Sequence, residues 1–120
     1  MANGNSKAYK IRSIGTNLVA GAANTIYTVP PNHTAKVELL FVANAGGGNK
    51  TVSIKWHDTS LGTDYYIVGG YVISAYNFLK IDGSYLALNA GDYLVVTPEG
   101  GSTMDATVSV EEYFDPLNNV

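Results

Sequence analysis

The stretch TIYTVPPNHTAKVELLFVAN, residues 25–44, restricts the fold more than any other part of the chain. It begins as a short strand rich in β-branched and aromatic residues. Pro30 and Pro31 stop that strand, since neither can donate to a ladder, and Asn32 completes a turn. Ala35 to Ala43 then forms the longest apolar strand pattern in the sequence. Val37, Leu39 and Phe41 share one face, opposed first by Lys36 and Glu38 and then by Leu40 and Val42. Such a change predicts a strand buried on one face at its start and on both faces at its end. Leu40 and Val42 are therefore expected to be covered from outside, by the chain's own tail or by a neighbouring subunit.

The remaining segments repeat this strand-and-turn grammar. Residues 1–6 are small and polar and read as a flexible arm. In residues 7–14, Tyr9, Ile11 and Ser13 alternate with Lys10, Arg12 and Ile14, which predicts an edge strand with its basic residues toward water or a partner. The run Ala45-Gly-Gly-Gly-Asn49 reads as a hairpin connection. After it, Val52, Ile54 and Trp56 point inward by strict alternation. Gly69-Gly70 splits a Tyr- and Val-rich segment and marks a bulge, a bend or a boundary between two strands. Asn77 to Ile81, Tyr85 to Leu88 and Tyr93 to Thr97 are further strands, separated by turns at Asp82-Gly83 and at residues 89–92. In the last strand, Met104 to Tyr113, residues Ala106, Val108 and Val110 point inward.

Eight or nine short strands at spacings of ~8–12 residues predict an all-β, single-domain antiparallel sandwich or barrel. No window carries the apolar stripe of a three-turn helix, and no repeat is present. The domain is expected over residues 7–114. A tail follows at 115–120, where Leu117 needs something to lie against.

Composition narrows the function classes. The 120 residues carry a net charge of −3 and only 14% charged residues, so there is no basic field for nucleic acid. There is no cysteine, which removes disulfides and thiolate metal sites and favours assembly in a reducing cytosol. The N-terminus has no signal-peptide core, and no apolar run reaches the ~20 residues of a membrane span.

Motifs for catalysis are missing as well. His33 and His57 lie in no HxH or HExxH spacing, and surface or packing roles are the default for both. Asp58, Asp64, Asp82, Asp92 and Asp105 sit in or beside loops, where Asp caps turns, and no calcium-loop spacing occurs. Glu111 and Glu112 fall on opposite faces of a strand rather than facing each other as glycosidase carboxylates do. No nucleophile elbow, P-loop or dinucleotide fingerprint exists, so no cofactor is implied and the chain reads as a non-enzyme. The aromatics carry more signal. Tyr65, Tyr66, Tyr71 and Tyr76 cluster in one segment, and adjacent Tyr65 and Tyr66 cannot both face the core. They fit a subunit interface, with a sugar-stacking platform and plain strand filling as the other uses.

Three runs, Ile26-Tyr27-Thr28-Val29-Pro30, Thr34-Ala35-Lys36-Val37 and Val42-Ala43-Asn44, carry a resemblance. So does a late turn formed by Leu88, Ala90, Gly91, Asp92, Leu94 and Val96. In order and spacing, over residues 25–112, these resemble small β-sandwich virion proteins of tailed bacteriophages. A single domain with short arms is most similar to their capsid decoration, or cement, proteins. The resemblance implies a jelly-roll or related sandwich and a homotrimer seated on the outer capsid surface. It also implies the major capsid protein as partner and synthesis in the host bacterial cytoplasm. The interface residues expected on this reading are Leu40, Val42, Tyr65, Tyr66, Tyr71, Tyr76 and Leu117. Other settings of such domains are a tail, connector or head-fibre component. A glycan-binding receptor module would instead line a groove with exposed rings beside Asp or Asn.

Overall fold

Nine strands and no helix make up residues 9–116, the part of the chain that this computed structural model describes. In chain order they are β1 (Tyr9–Asn17), β2 (Asn24–Thr28), β3 (His33–Asn44), β4 (Lys50–Asp58), β5 (Thr63–Ile73), β6 (Phe78–Ile81), β7 (Leu86–Leu88), β8 (Tyr93–Pro98) and β9 (Met104–Phe114). They form two antiparallel sheets. One has the order β1-β9-β3-β6, with β7 also paired to β3, and the other has the order β2-β8-β4-β5. Among sequential strands only β4 and β5 are ladder neighbours. Most other connections carry the chain from one sheet to the other, which is the arrangement of a jelly roll. The expected all-β sandwich is therefore what forms. Residues 1–8 and 117–120, including the expected arm and Leu117, lie outside the described residues.

Alternation sets the core. Ile26 of β2, Val37, Leu40 and Val42 of β3, Val52 and Ile54 of β4, Leu94 and Val96 of β8, and Ala106, Val108 and Val110 of β9 are all buried between the sheets. Trp56 only packs against the margin of this core. Its ring stacks on Tyr65 with centroids 5.2 Å apart.

Two expectations are corrected by the structure. The first concerns β3. Its partner β9 sets Ser109 opposite Leu39 and the next residue, Val110, opposite Val37, so Glu38 is an extra residue in the ladder. One inserted residue turns every later side chain to the other face. Ala35 and Val37 point inward before the bulge; Leu40, Val42 and Asn44 point inward after it. Leu40 and Val42 are thus core residues of their own chain, 4% and 1% exposed, and are not available to an outside cover. The outward positions are Leu39 and Phe41. β3 is apolar on both sides as read, with the sides exchanged.

The second correction is the glycine-rich run at residues 45–49, which is no hairpin. It arches from β3 in one sheet to β4 in the other. Asn44 holds this arch from inside. Its side-chain amide donates to the carbonyls of Gly48 and Ile73 at 2.9 and 3.0 Å, and its Oδ1 accepts from the Gly46 N–H at 3.0 Å. β1 is an edge strand, as expected, and its Lys10 and Arg12 stay exposed to water while their charged ends reach the buried Glu112 on the neighbouring strand, at 4.0 and 3.7 Å.

Candidate interaction surfaces

The register of the five-stranded sheet places its outward side chains in cross-strand rows. Gly15, Thr107, Phe41 and Lys80 form one row, and Ser13, Ser109 and Leu39 the next. Ala43 and Asp105 lie beside Phe78 of β6. Phe41 and Phe78 stack with centroids 4.9 Å apart, and the Ser13 and Ser109 hydroxyls share a 2.7 Å hydrogen bond. The middle of this face is therefore built from aromatic, aliphatic and small hydroxyl side chains, bordered by Lys80 and Asp105. The outer face of an antiparallel sheet is ordinarily the polar one.

Toward the far end of the same face the character changes. Lys36 lies 3.9 Å from Glu111, and the Tyr113 hydroxyl donates to Glu111. That hydrogen bond, more than any other influence, holds the Glu111 carboxyl below its ordinary range and pushes the Tyr113 phenol up to about 12. Tyr9 packs on Tyr113, with ring centroids 5.8 Å apart.

The second surface is β5, the outer strand of the four-stranded sheet. It carries Tyr65, Tyr66 and Tyr71, all exposed, together with the exposed Val72. Tyr65 faces the core side at the sandwich margin, on Trp56. Tyr66 faces outward, where the Lys55 ammonium sits 4.7 Å from its ring centroid. The Tyr66 ring also lies over Gly69, at ordinary van der Waals distance from where a Cβ would stand. Gly70 takes a left-handed φ of 63° and donates its N–H to the Ser53 hydroxyl at 2.9 Å. The glycine pair is thus a bulge inside one continuous strand.

Tyr76 stands apart from these, 78% exposed, in the connection from β5 to β6. Its φ of 57° turns the ring over Gly47 of the β3–β4 arch. Six residues of extended chain, about 20 Å, separate Tyr65 from Tyr71, and Tyr76 lies beyond Tyr71. The four tyrosines expected to act together are therefore strung along one edge of the molecule. They do not converge on a groove.

Two further features offer polar chemistry or space. His57 Nδ1 and Asp64 Oδ1 are 2.6 Å apart across β4 and β5, and the imidazole stacks on Tyr93 with centroids 4.5 Å apart. Among the described residues, no three His, Cys, Asp or Glu side chains gather as a metal site would require. A cleft of about 140 Å³ opens where β6 and β7 part along β3. Val37, Leu40, Ile67, Ile81 and Leu86 line it, with Tyr85 at its mouth. It is apolar and small, the size of one side chain rather than of an oligosaccharide.

Sequence reasoning overlooked Leu39, Phe41 and Phe78 as surface residues. The two-sided apolar pattern of β3 contained the signal, but its phase depended on the bulge at Glu38. Phe78 had no such signal, because β6 is only four residues long.

No protein-family model matches the chain. No curated protein matches it either. Solved structures do share its fold. A chain of the disulfide-linked pili that form Bacillus endospore appendages superposes with a TM-score of 0.54 at 11% identity, over 96% of each chain. A chain of the virus-like particle of extra small virus, from the giant freshwater prawn Macrobrachium rosenbergii, matches with a TM-score of 0.47 and 14% identity. That match covers 88% of this chain and 77% of the other. At 11% identity the likeness to the pilus chain is one of fold.

Proposed function

We propose that the chain is a non-enzymatic structural subunit of a bacteriophage virion, a head decoration protein that binds the outer capsid surface and stabilises the shell. One observation carries this reading: on the outer face of the five-stranded sheet Phe41 stacks on the exposed Phe78, beside the half-buried Leu39 and Ala43 and bordered by Lys80. A soluble sandwich has no folding reason to put stacked phenylalanines there, and contiguous exposed apolar area marks binding surfaces. The resemblance of residues 25–112 to phage decoration proteins supplies the setting, with the major capsid protein and further copies of this chain, as a homotrimer, for partners. The spread of the tyrosines along an edge favours this reading over a glycan-binding module, which needs a groove with convergent rings.

The mechanism on this reading is mechanical. Each subunit covers a seam between capsid proteins and binds only the assembled shell. Mass action then stabilises the shell by RT ln(1 + [L]/Kd), about 2.7 kcal/mol per site at a hundredfold excess over Kd. Repetition over the lattice multiplies this resistance to internal pressure.

The test is reconstitution. Purified chain added to shells that lack it is expected to co-sediment, to appear as external density by cryo-electron microscopy, and to raise the temperature of shell rupture. The double variant F41S/F78S should fold and fail to bind. Density confined to the tail or connector, or binding that survives both substitutions, would overturn the reading.

A further inference from the structure

We infer that β5 is a self-pairing edge, at which two copies of the chain join antiparallel about a two-fold axis through Val68. This goes beyond the decoration reading and holds whatever larger structure the chain serves.

β5 is the unguarded edge of the sandwich. Natural sheets blunt their edges with charge, proline or short strands. β1 carries Lys10 and Arg12. β2 is five residues long and runs into Pro30 and Pro31. On the fourth edge, β6 and β7 have four and three residues. β5, in contrast, has eleven residues, no proline and one charged side chain, Asp64 near its start. Its free side presents the ladder groups, flanked by exposed Tyr65, Tyr71 and Val72.

β5 is also self-complementary. β4 pairs Trp56 with Tyr65, Ile54 with Val68 and Val52 with Tyr71. Each step of two residues on β4 thus spans three on β5, so one extra residue lies on each side of Val68. Tyr65 and Tyr71 consequently both face the core side, at equal distances from the strand centre. Bulges ordinarily protect an edge by twisting it away from any straight strand. A second β5 turned by two-fold rotation sets the extra residue at 66–67 opposite the one at Gly69-Gly70. In that register Tyr65 faces the partner's Tyr71 twice, as aromatic cross-strand pairs. Asp64 faces the partner's Val72, both on the outward side. Only an isologous contact gives such reciprocal pairing.

The absence of cysteine makes the test clean, because an introduced pair is the only thiol present. The double variant D64C/V72C is expected to form disulfide-linked dimers under mild oxidation, whereas V72C alone stays unlinked. The two introduced residues lie about 27 Å apart along one strand, too far to join within a chain. In sedimentation velocity the unmodified chain should show concentration-dependent pairing, of monomers into dimers or of the proposed trimers into hexamers. V72D places like charges opposite Asp64 at two symmetric points and should weaken that association by about tenfold, with an unchanged melting profile. F41S/F78S should leave it intact. A chain that stays monomeric at all concentrations, a trimer in which D64C/V72C does not cross-link, or association indifferent to V72D would each overturn the inference.

Discussion

Asn44, Asp92 and Glu112 are the buried polar side chains of the described residues, and each one closes a connection between the sheets. Asp92 accepts the N–H groups of Thr59 and Asn89, both at 2.9 Å, which pins the β7–β8 turn to the β4–β5 loop. Its place in a turn was legible in the sequence, because Asp beside Gly is turn chemistry. Glu112 was legible in phase only. It continues the inward series Ala106, Val108, Val110, yet nothing in one sequence names its partner, Tyr27 of the opposite sheet. That hydroxyl donates to Glu112 at 2.6 Å, and burial followed by this hydrogen bond raises the Tyr27 phenol well above its ordinary value of 10.0. A group whose pKa is raised on folding contributes stability that is complete below the unfolded pKa and is lost as pH rises through the folded one. Stability is therefore expected to hold up to pH 10 and to fall above it, where the unfolded chain ionises Tyr27 and the folded chain does not. Tyr27→Phe should lose about 1–3 kcal/mol at neutral pH by leaving Glu112 short of a donor. It should also flatten the alkaline decline by up to ~1.4 kcal/mol per pH unit. Urea denaturation at neutral pH and above pH 10 reads both, and an unchanged alkaline slope would refute the linkage.

Among elements, β3 shows most clearly where sequence reasoning stops. Its length, its corner at Pro30-Pro31 and its apolar character on both faces were all readable from local chemistry. Its phase was not. A bulge is fixed by the partner strand, here β9, and Glu38 carries no local mark of being the extra residue. The same limit applies to residues 45–49, since a glycine run permits a hairpin and an inter-sheet arch equally well. By contrast, Gly69-Gly70 marked an irregularity from sequence alone, as a bulge, a bend or a strand boundary, and the structure takes the first. The corrected phase makes a sharp comparison between adjacent leucines. Leu40→Ala should cost about 2–5 kcal/mol as a core truncation, and Leu39→Ala under about 1 kcal/mol as a surface change. Chemical denaturation of the two variants measures the difference. The reverse order would restore the simple alternation and remove the bulge from the argument.

For the molecule as a whole, strand number and class followed from the turn spacing, whereas the jelly-roll order did not. Strand order depends on which pairs bury most area together, and a list of short strands fits several Greek-key arrangements. Charge, on the other hand, was readable and has a consequence for assembly. Seven basic and ten acidic residues give a net charge of −3. Several of them are already engaged with one another: Lys10 and Arg12 with Glu112, Lys36 with Glu111, Lys50 with Glu99, and Lys80 with Asp82. Five of the seven basic residues are thus engaged, so little positive charge is left to steer a partner, and on the proposed reading the apolar face around Phe41 and Phe78 together with the β5 edge supplies the binding energy by burying area. Raising salt from ~0.1 M to ~1 M shortens the Debye length from ~10 Å to ~3 Å, which strips binding that depends on exposed charges. Burial of apolar surface does not weaken under that change. Binding to shells is therefore expected to persist, with less than about a threefold change in affinity, across this salt range. Co-sedimentation at the two salt concentrations measures it. Release at high salt would move the interface to the charged end of the sheet, around Lys36, Glu38 and Glu111.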